Sequence, residues 1–376
     1  MTAGRPRRRL VSRGAGLAAA LVIAIGFPWV FSNPTVTSIA IITLVYMASA
    51  TAWNSFGGYT GYIPLGHAVF FGCGAYTLAL LAEVWHMKGG YAVFALLPLG
   101  AVVAAVVAVP FGWVALRTRR HTFVVITIAI FFIFQLLAYN LAFTHGSSGA
   151  QTPTPPWPAA TYNDPFYYVA LAVVIFAVAL SWTIRRSRFG LQLLAIRDDE
   201  DRARSLGVRV GRVKLAAFVM SAVPIGMGGG IYAYFIGQIY PQFAFNPLFD
   251  LAAALMSFLG GLGTVAGPVL GALILEPLQQ YFTLQFPSGG LYLILYGVLF
   301  LVVILLLPRG IIPTLADRFK TALARRRGTV RVATEATAGD LPVPAGASAG
   351  SATATGTVDP ADPIDPVGPR LERRRG

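Results

Sequence analysis

Residues 185–214 read RRSRFGLQLLAIRDDEDRARSLGVRVGRVK, with nine Arg or Lys residues and four consecutive acids, Asp198, Asp199, Glu200 and Asp201. Uncharged apolar segments flank this block on both sides, so it sits in water between two membrane spans. It marks a place where a membrane protein meets a soluble partner. Composition agrees: of 376 residues, 56% are hydrophobic and 12% charged, against about a quarter charged in soluble domains. Mean hydropathy is +0.67.

A net charge of +14 would point to nucleic acid in a soluble chain, so the placement of the charges decides. The Arg and Lys residues fall at 5–13, 117–120, 185–214 and 309–375, with Lys88 the one exception. Clusters between apolar runs are the positive-inside pattern, and no nucleic-acid partner is expected. The single cysteine, Cys73, excludes an intrachain disulfide and any Cys-based metal site.

The expected fold class is an all-α polytopic integral membrane protein with about ten hydrophobic segments, some broken or re-entrant. These are 16–32, 36–56, 64–85, 91–116, 122–143, 166–184, 214–237, 249–263, 264–284 and 290–307. With Arg5 to Arg13 cytoplasmic, alternation puts 117–121, 185–213 and the chain beyond 308 on that same side, and both termini inside. The expected layout is a basic N-terminus at 1–15, a transmembrane domain at 16–312, and a low-complexity cytoplasmic tail at 313–376, too poor in apolar residues to fold. A cleaved signal peptide is the alternative for the first run, but no small-x-small pattern follows Phe31. The longest outer loop, 144–165, is rich in Pro, Ser and Thr. It reads as a cap over the outer face or a contact for a partner, against a plain exposed linker.

Two stretches interrupt the apolar pattern with glycine and proline, GGYTGYIPLGHAVFFGCGAY at 57–76 and GGLGTVAGPVLGA at 260–272. Non-helical backbone at membrane depth needs packing in protein or a watery cavity, and such breaks point to a solute site. The candidate pathway residues are Gly61, Tyr62, Pro64, Gly66 and His67 in the first stretch and Gly263, Gly267 and Pro268 in the second. The competing reading is close helix packing through small residues, as at Gly226 to Gly230. Tyr62 and His67 beside the first break favour the pathway there. Three acids fall in spans: Glu83 and Asp250, expected near the outer surface and facing water, and the deeper Glu276 beside Pro277. There is no phosphate-binding loop, dinucleotide fingerprint, nucleophile setting or metal-ligand spacing. No cofactor is expected and the chain does not read as an enzyme.

Within the charged block, FGLQLLAIRDDEDRARSLG reads either as a short surface helix lying against a partner and stopped by Gly207, or as a solvated connecting loop. SRFGLQLLAIRDDEDRARSLGV, followed by KLAAFVMSAVPIGMGGGIYAYF, closely resembles the cytoplasmic coupling loop and next span of the branched-chain amino acid permease family of ATP-binding-cassette importers, its M-type subunit in particular. GGYTGYIPLGHAVFFGCGAYTLALL, LRTRRHTFVVITIAIF, LGGLGTVAGPVLGA and LLPRGI continue the resemblance in order across residues 36 to 312. The resemblance implies a permease subunit in a bacterial or archaeal plasma membrane, working with a second homologous permease subunit, two cytosolic ATPases and an extracytoplasmic solute-binding protein. Glu200, Ala203 and Gly207 match the coupling motif, with Arg188, Gly190 and Arg197 just before it. Arg202 and Ser205 stand where alanines are usual. Gly61, Gly66 and His67 match, but Tyr62 and Pro64 replace a glutamine and a serine, and His121 and His145 replace small residues. By the same resemblance the solute is a branched-chain amino acid, or urea, a short amide or another small polar solute. A stand-alone facilitator or channel is the reading from another class, and a membrane-embedded enzyme lacks paired acid and base.

Overall fold

The computed structural model describes residues 19, 21–31, 33–159, 161–286, 291–306 and 310–314. The basic N-terminus and the low-complexity tail lie outside them, apart from Pro313 and Thr314. The chain is all-α and polytopic, as its composition dictates. Helix α1 covers Leu21–Val30, α2 Pro34–Thr60 and α3 Ala68–Val84; a short 3-10 turn, Tyr91–Leu96, leads into α4, Leu97–Ala115. Then come α5 (Arg120–Asn140), α6 (Asn163–Arg186), α7 (Arg188–Asp198), α8 (Glu200–Ser205) and α9 (Val210–Ile236). The last are α10 (Pro241–Ala244), α11 (Pro247–Gly260), α12 (Gly267–Gln285) and α13 (Leu291–Leu306). Each of the ten hydrophobic segments coincides with a helix. Among the described residues six stretches are long and apolar enough to cross a membrane: Pro34–Thr60, Tyr91–Ala115, Arg120–Asn140, Asn163–Arg186, Val210–Ile236 and Pro241–Gly260.

The ends of α2 follow from its sequence. Asn33 Oδ1 accepts the Thr35 N–H at 3.0 Å and Pro34 fills the first turn. At the far end Gly61 takes φ +72°, a conformation glycine adopts without strain, and its N–H returns to the Gly57 carbonyl at 3.0 Å. Between them the hydroxyls of Thr43, Ser49, Thr51, Ser55 and Thr60 each donate to the carbonyl four residues back, at 2.7 to 2.8 Å. Self-pairing of this kind lets a buried membrane helix carry polar residues without leaving a donor unpaired.

Lipid tails are as apolar as leucine, so these helices associate by close packing. Helix α9 lies against α2, α3 and α4, and its glycines let the backbones touch. A Cβ on Gly74 would collide with the Gly226 carbonyl, and one on Gly229 with that of Phe71. The same device joins α11 to α12, where Gly260 meets the Gly267 backbone and Gly271 meets Met256. For Gly226 to Gly230, Gly260 and Gly267, close packing is what the side-chain-free surface does. Away from this core α5 turns Val125, Ile133 and Leu136 outward, an apolar surface that suits lipid.

One end of the bundle carries Arg117–Arg120 and α7–α8; this is the charged end. The opposite, loop end is tied down by a two-residue antiparallel pair, Ala150 with Ile239 and Gln151 with Gln238. Trp157 stacks on Phe94 at 6.0 Å and meets Phe166 edge-on at 5.5 Å. The 144–165 segment is thus packed as a cap and is no free linker. His145 has φ +58°, a left-handed conformation that glycine adopts more readily than a residue with a side chain.

Candidate functional site at the charged end

The single surface helix expected over 189–206 is two helices. Ser187 Oγ caps α7 by accepting the Gly190 N–H at 3.2 Å, and Gly190 packs on the Ile184 carbonyl too closely for any side chain. Asp199 then leaves the helix with φ −157° and starts α8 by accepting the Arg202 N–H on Oδ1 at 3.0 Å. In the acid run one carboxylate is a cap, which breaks the helix in the middle. Gly207, at φ +85° with open space around it, ends α8. Of the coupling candidates Arg188 and Gly207 are exposed, beside Leu191 and Leu206 at 64% and 79% exposure. Gly190 and Ala203 are buried, and Arg197 and Glu200 are half-buried and turned inward.

Those two inward groups reach both interrupted stretches. Glu200 accepts the Tyr62 hydroxyl on Oε2 and the Lys214 ammonium on Oε1 at 3.1 Å. Lys214 also donates to Tyr62 Oη at 3.0 Å, and Arg204 reaches Glu200 Oε1 at 3.2 Å. Lys214 is 2% exposed and Tyr62 1%, so this lock is closed to water on its inner side. Burial works to raise the Glu200 carboxyl, but the bonds from Tyr62 and Lys214 and the nearby cations outweigh it and hold it below its usual value. Arg197 donates to the Gly58 carbonyl at 2.7 Å, at the foot of α2. Arg120 caps the end of α7, donating to the Ile196 and Arg197 carbonyls at 3.1 and 2.6 Å.

The second break is held to the first. Asn54 of α2 accepts the Gly263 N–H at 2.8 Å and donates to the Thr264 carbonyl at 2.9 Å. Gly263, at φ +78°, leaves room for Arg197, whose Nη1 stands 2.5 Å from where a Cβ would be. Gly267 and Pro268 form the first turn of α12, and the Pro313 ring rests on Gly261. Sequence reading missed Lys214, Asn54 and Arg120 as parts of this site. The available signal was a lone amide inside an apolar run at Asn54, while Lys214 and Arg120 stand at the ends of basic clusters where a cation does not stand out.

The remaining pathway candidates separate from the lock. Pro64 gives its carbonyl to the Trp53 indole at 3.0 Å, and Gly66 fits against Phe111 and Thr127. His67 is fully buried, bonded through Nε2 to Ser221 Oγ at 2.8 Å, with the Phe70 and Phe218 rings 5.3 and 5.1 Å away. Asp250, expected to face water, is 1% exposed: residues 241–246 pack inward on α3 before α11 begins. Its Oδ2 accepts the Ala68 N–H at 3.2 Å. Glu276 is buried and bonded to Gln280 Nε2 at 2.8 Å. Glu83 is half exposed at the loop end and pairs with His145 at 2.9 Å, beside a cavity of about 460 Å³. Among the described residues no group of His, Cys, Asp or Glu is placed to hold a metal ion.

The arrangement contains no reacting group; it contains a charged element clamped to two breaks in a membrane bundle. The high-affinity branched-chain amino acid transport system permease protein LivM of Escherichia coli is 28% identical over 341 residues, covering 83% of this chain and 78% of LivM. LivH of Escherichia coli, from the same named system, is 26% identical and covers 71% of this chain and 91% of its own. The xylose transport system permease protein XylH of Haemophilus influenzae is 34% identical over 37% of this chain and 38% of XylH. No solved structure matches. The family model described as branched-chain amino acid transport system, permease component, matches residues 35–304, and the chain belongs to that family of non-enzymatic membrane subunits of ATP-binding-cassette importers.

Proposed function

We propose that this subunit carries branched-chain amino acids inward across the plasma membrane by alternating access, with ten crossings and both termini in the cytoplasm. Two cytosolic ATPases press on α7–α8, a second homologous permease completes the passage, and an extracytoplasmic binding protein delivers the solute. Arg188, Leu191, Leu206 and Gly207 form the ATPase-facing surface. Gly190 and Ala203 seat the two helices, and Arg197 and Glu200 relay their movement to Gly61–His67 and to Gly263–Pro268. The observation that supports this is the Glu200–Tyr62–Lys214 lock together with the Arg197–Gly58 bond, which join α7 and α8 to the first break and the end of α2, while Arg197 also lies against Gly263 of the second. The departures at Tyr62 and Pro64 do not argue for urea or amides, since the Tyr62 hydroxyl is engaged by Glu200 and the Pro64 carbonyl by Trp53.

The test is uptake of labelled leucine, isoleucine, valine, urea and short amides into cells with and without the subunit, each with and without ATP depletion. Leucine-type uptake that needs both supports the reading. Uptake that persists without ATP makes the protein a facilitator.

A further inference from the structure

Helix α3 has 17 residues, about 25 Å, and α11 has 14, about 21 Å, so neither crosses a hydrocarbon layer of about 30 Å unaided. Both begin inside the bundle, and their beginnings meet. Asp250, in the first turn of α11, takes the Ala68 N–H at the start of α3, and the His67 N–H lies beside the same carboxylate. Phe245 fills the space beside Gly72, stacks on Tyr76 at 5.9 Å, and gives its carbonyl to Gln135 Nε2 at 2.6 Å. Along this seam three buried polar atoms lack a hydrogen-bond partner: Asp250 Oδ1, His67 Nδ1 and Tyr76 Oη. Among the described residues only two others share that condition, Glu276 Oε2 and Gln279 Oε1.

An unpaired buried polar atom is costly, and a functional role is one reason for a protein to keep it. At the start of a broken helix, N–H groups favour an anionic partner, yet here Asp250 already occupies them. What the seam still offers is acceptors, on a carboxylate and an imidazole. We propose that Asp250 Oδ1 and His67 Nδ1 form the subsite for the nitrogen of the transported solute, an ammonium or another cluster of N–H donors, and that this subsite selects against isosteres lacking it. The assignment rests on the importer reading above. It separates labour between neighbours: Oδ2 of Asp250 holds the helix start, and Oδ1 reads the solute.

The experiment uses the complete transporter in proteoliposomes, with its own binding protein held constant across variants, so that any change in preference arises in the membrane subunit. ATP-dependent uptake of labelled leucine is competed with unlabelled leucine and with its 2-hydroxy analogue, which has the same shape and no ammonium group. Asp250→Asn keeps an oxygen for the Ala68 N–H and turns the unpaired atom into a donor. It is expected to reduce the preference for leucine over the hydroxy acid at least tenfold, with ATP hydrolysis retained. His67→Gln keeps the Ser221 bond and removes Nδ1; a smaller loss of preference is expected, and it provides the second readout should Asp250→Asn not assemble. Wild-type preference in an assembled Asp250→Asn, or in His67→Gln if Asp250→Asn does not assemble, overturns the subsite and leaves the importer reading intact. Wild-type uptake that ignores ATP overturns both.

Discussion

The charged end and the α3–α11 seam handle buried polar groups in opposite ways. At the charged end Glu200, Tyr62, Lys214, Arg197 and Arg120 are all partnered, and the partners sit on different elements. Along the seam, Asp250, His67 and Tyr76 each keep one polar atom unpaired. A buried network with every member satisfied makes a rigid joint. An unsatisfied one is a poor joint and a good receptor. In the proposals above transmission belongs to the first region and recognition to the second, with residues 61–67 running from one to the other.

The comparison breaks most readily at Lys214. Lys214→Met takes the ammonium from Glu200, which keeps its Tyr62 and Arg204 bonds, and losing a charge-assisted bond of this kind costs about 2 kcal/mol. Thermal unfolding in detergent and uptake should both fall, uptake by tenfold or more. At the seam the expected pattern is reversed: Asp250→Asn should leave unfolding within about 1 kcal/mol of wild type while solute preference collapses, because the Ala68 bond survives. Equal destabilisation at the two sites would erase the distinction.

The pH dependence sharpens it further. Glu200 titrates below its ordinary value of 4.5 in the folded protein, so its contribution is complete above that value and is lost as pH falls through the lowered one. The stability gap between wild type and Glu200→Gln should therefore be constant through neutral pH and close in acid. A gap that widens on acidification would contradict the lock. The smallest effect belongs to Asp201, whose side chain is 89% exposed and paired only with Arg204. Asp201→Ala should change neither stability nor uptake measurably.

The spans were legible in the sequence because a run of about 20 apolar residues bounded by Arg clusters has few other meanings. The break inside the charged block was not, since four acids in a row do not reveal which one will cap; only the extended backbone at Asp199 selects it. Lys214 and Asn54 were hidden for a different reason. Tyr62 lies 152 residues from Lys214 and Gly263 lies 209 from Asn54, and no local pattern records a contact of that kind. Asp250 was misplaced because counting from the loop assumes that the chain enters the membrane as a helix at its surface, whereas residues 241–246 pack inward first.

Tyr62→Phe tests the central claim most directly. The hydroxyl is buried, so its loss leaves the exposed surface of α7–α8 unchanged, and any effect must pass through its bonds to Glu200 and Lys214. ATP hydrolysis and leucine uptake would be measured together in the reconstituted transporter. Hydrolysis near the wild-type rate with uptake reduced several-fold is the expected result. Uptake per ATP unchanged from wild type would show that force from the charged end reaches the pathway by some route other than this lock.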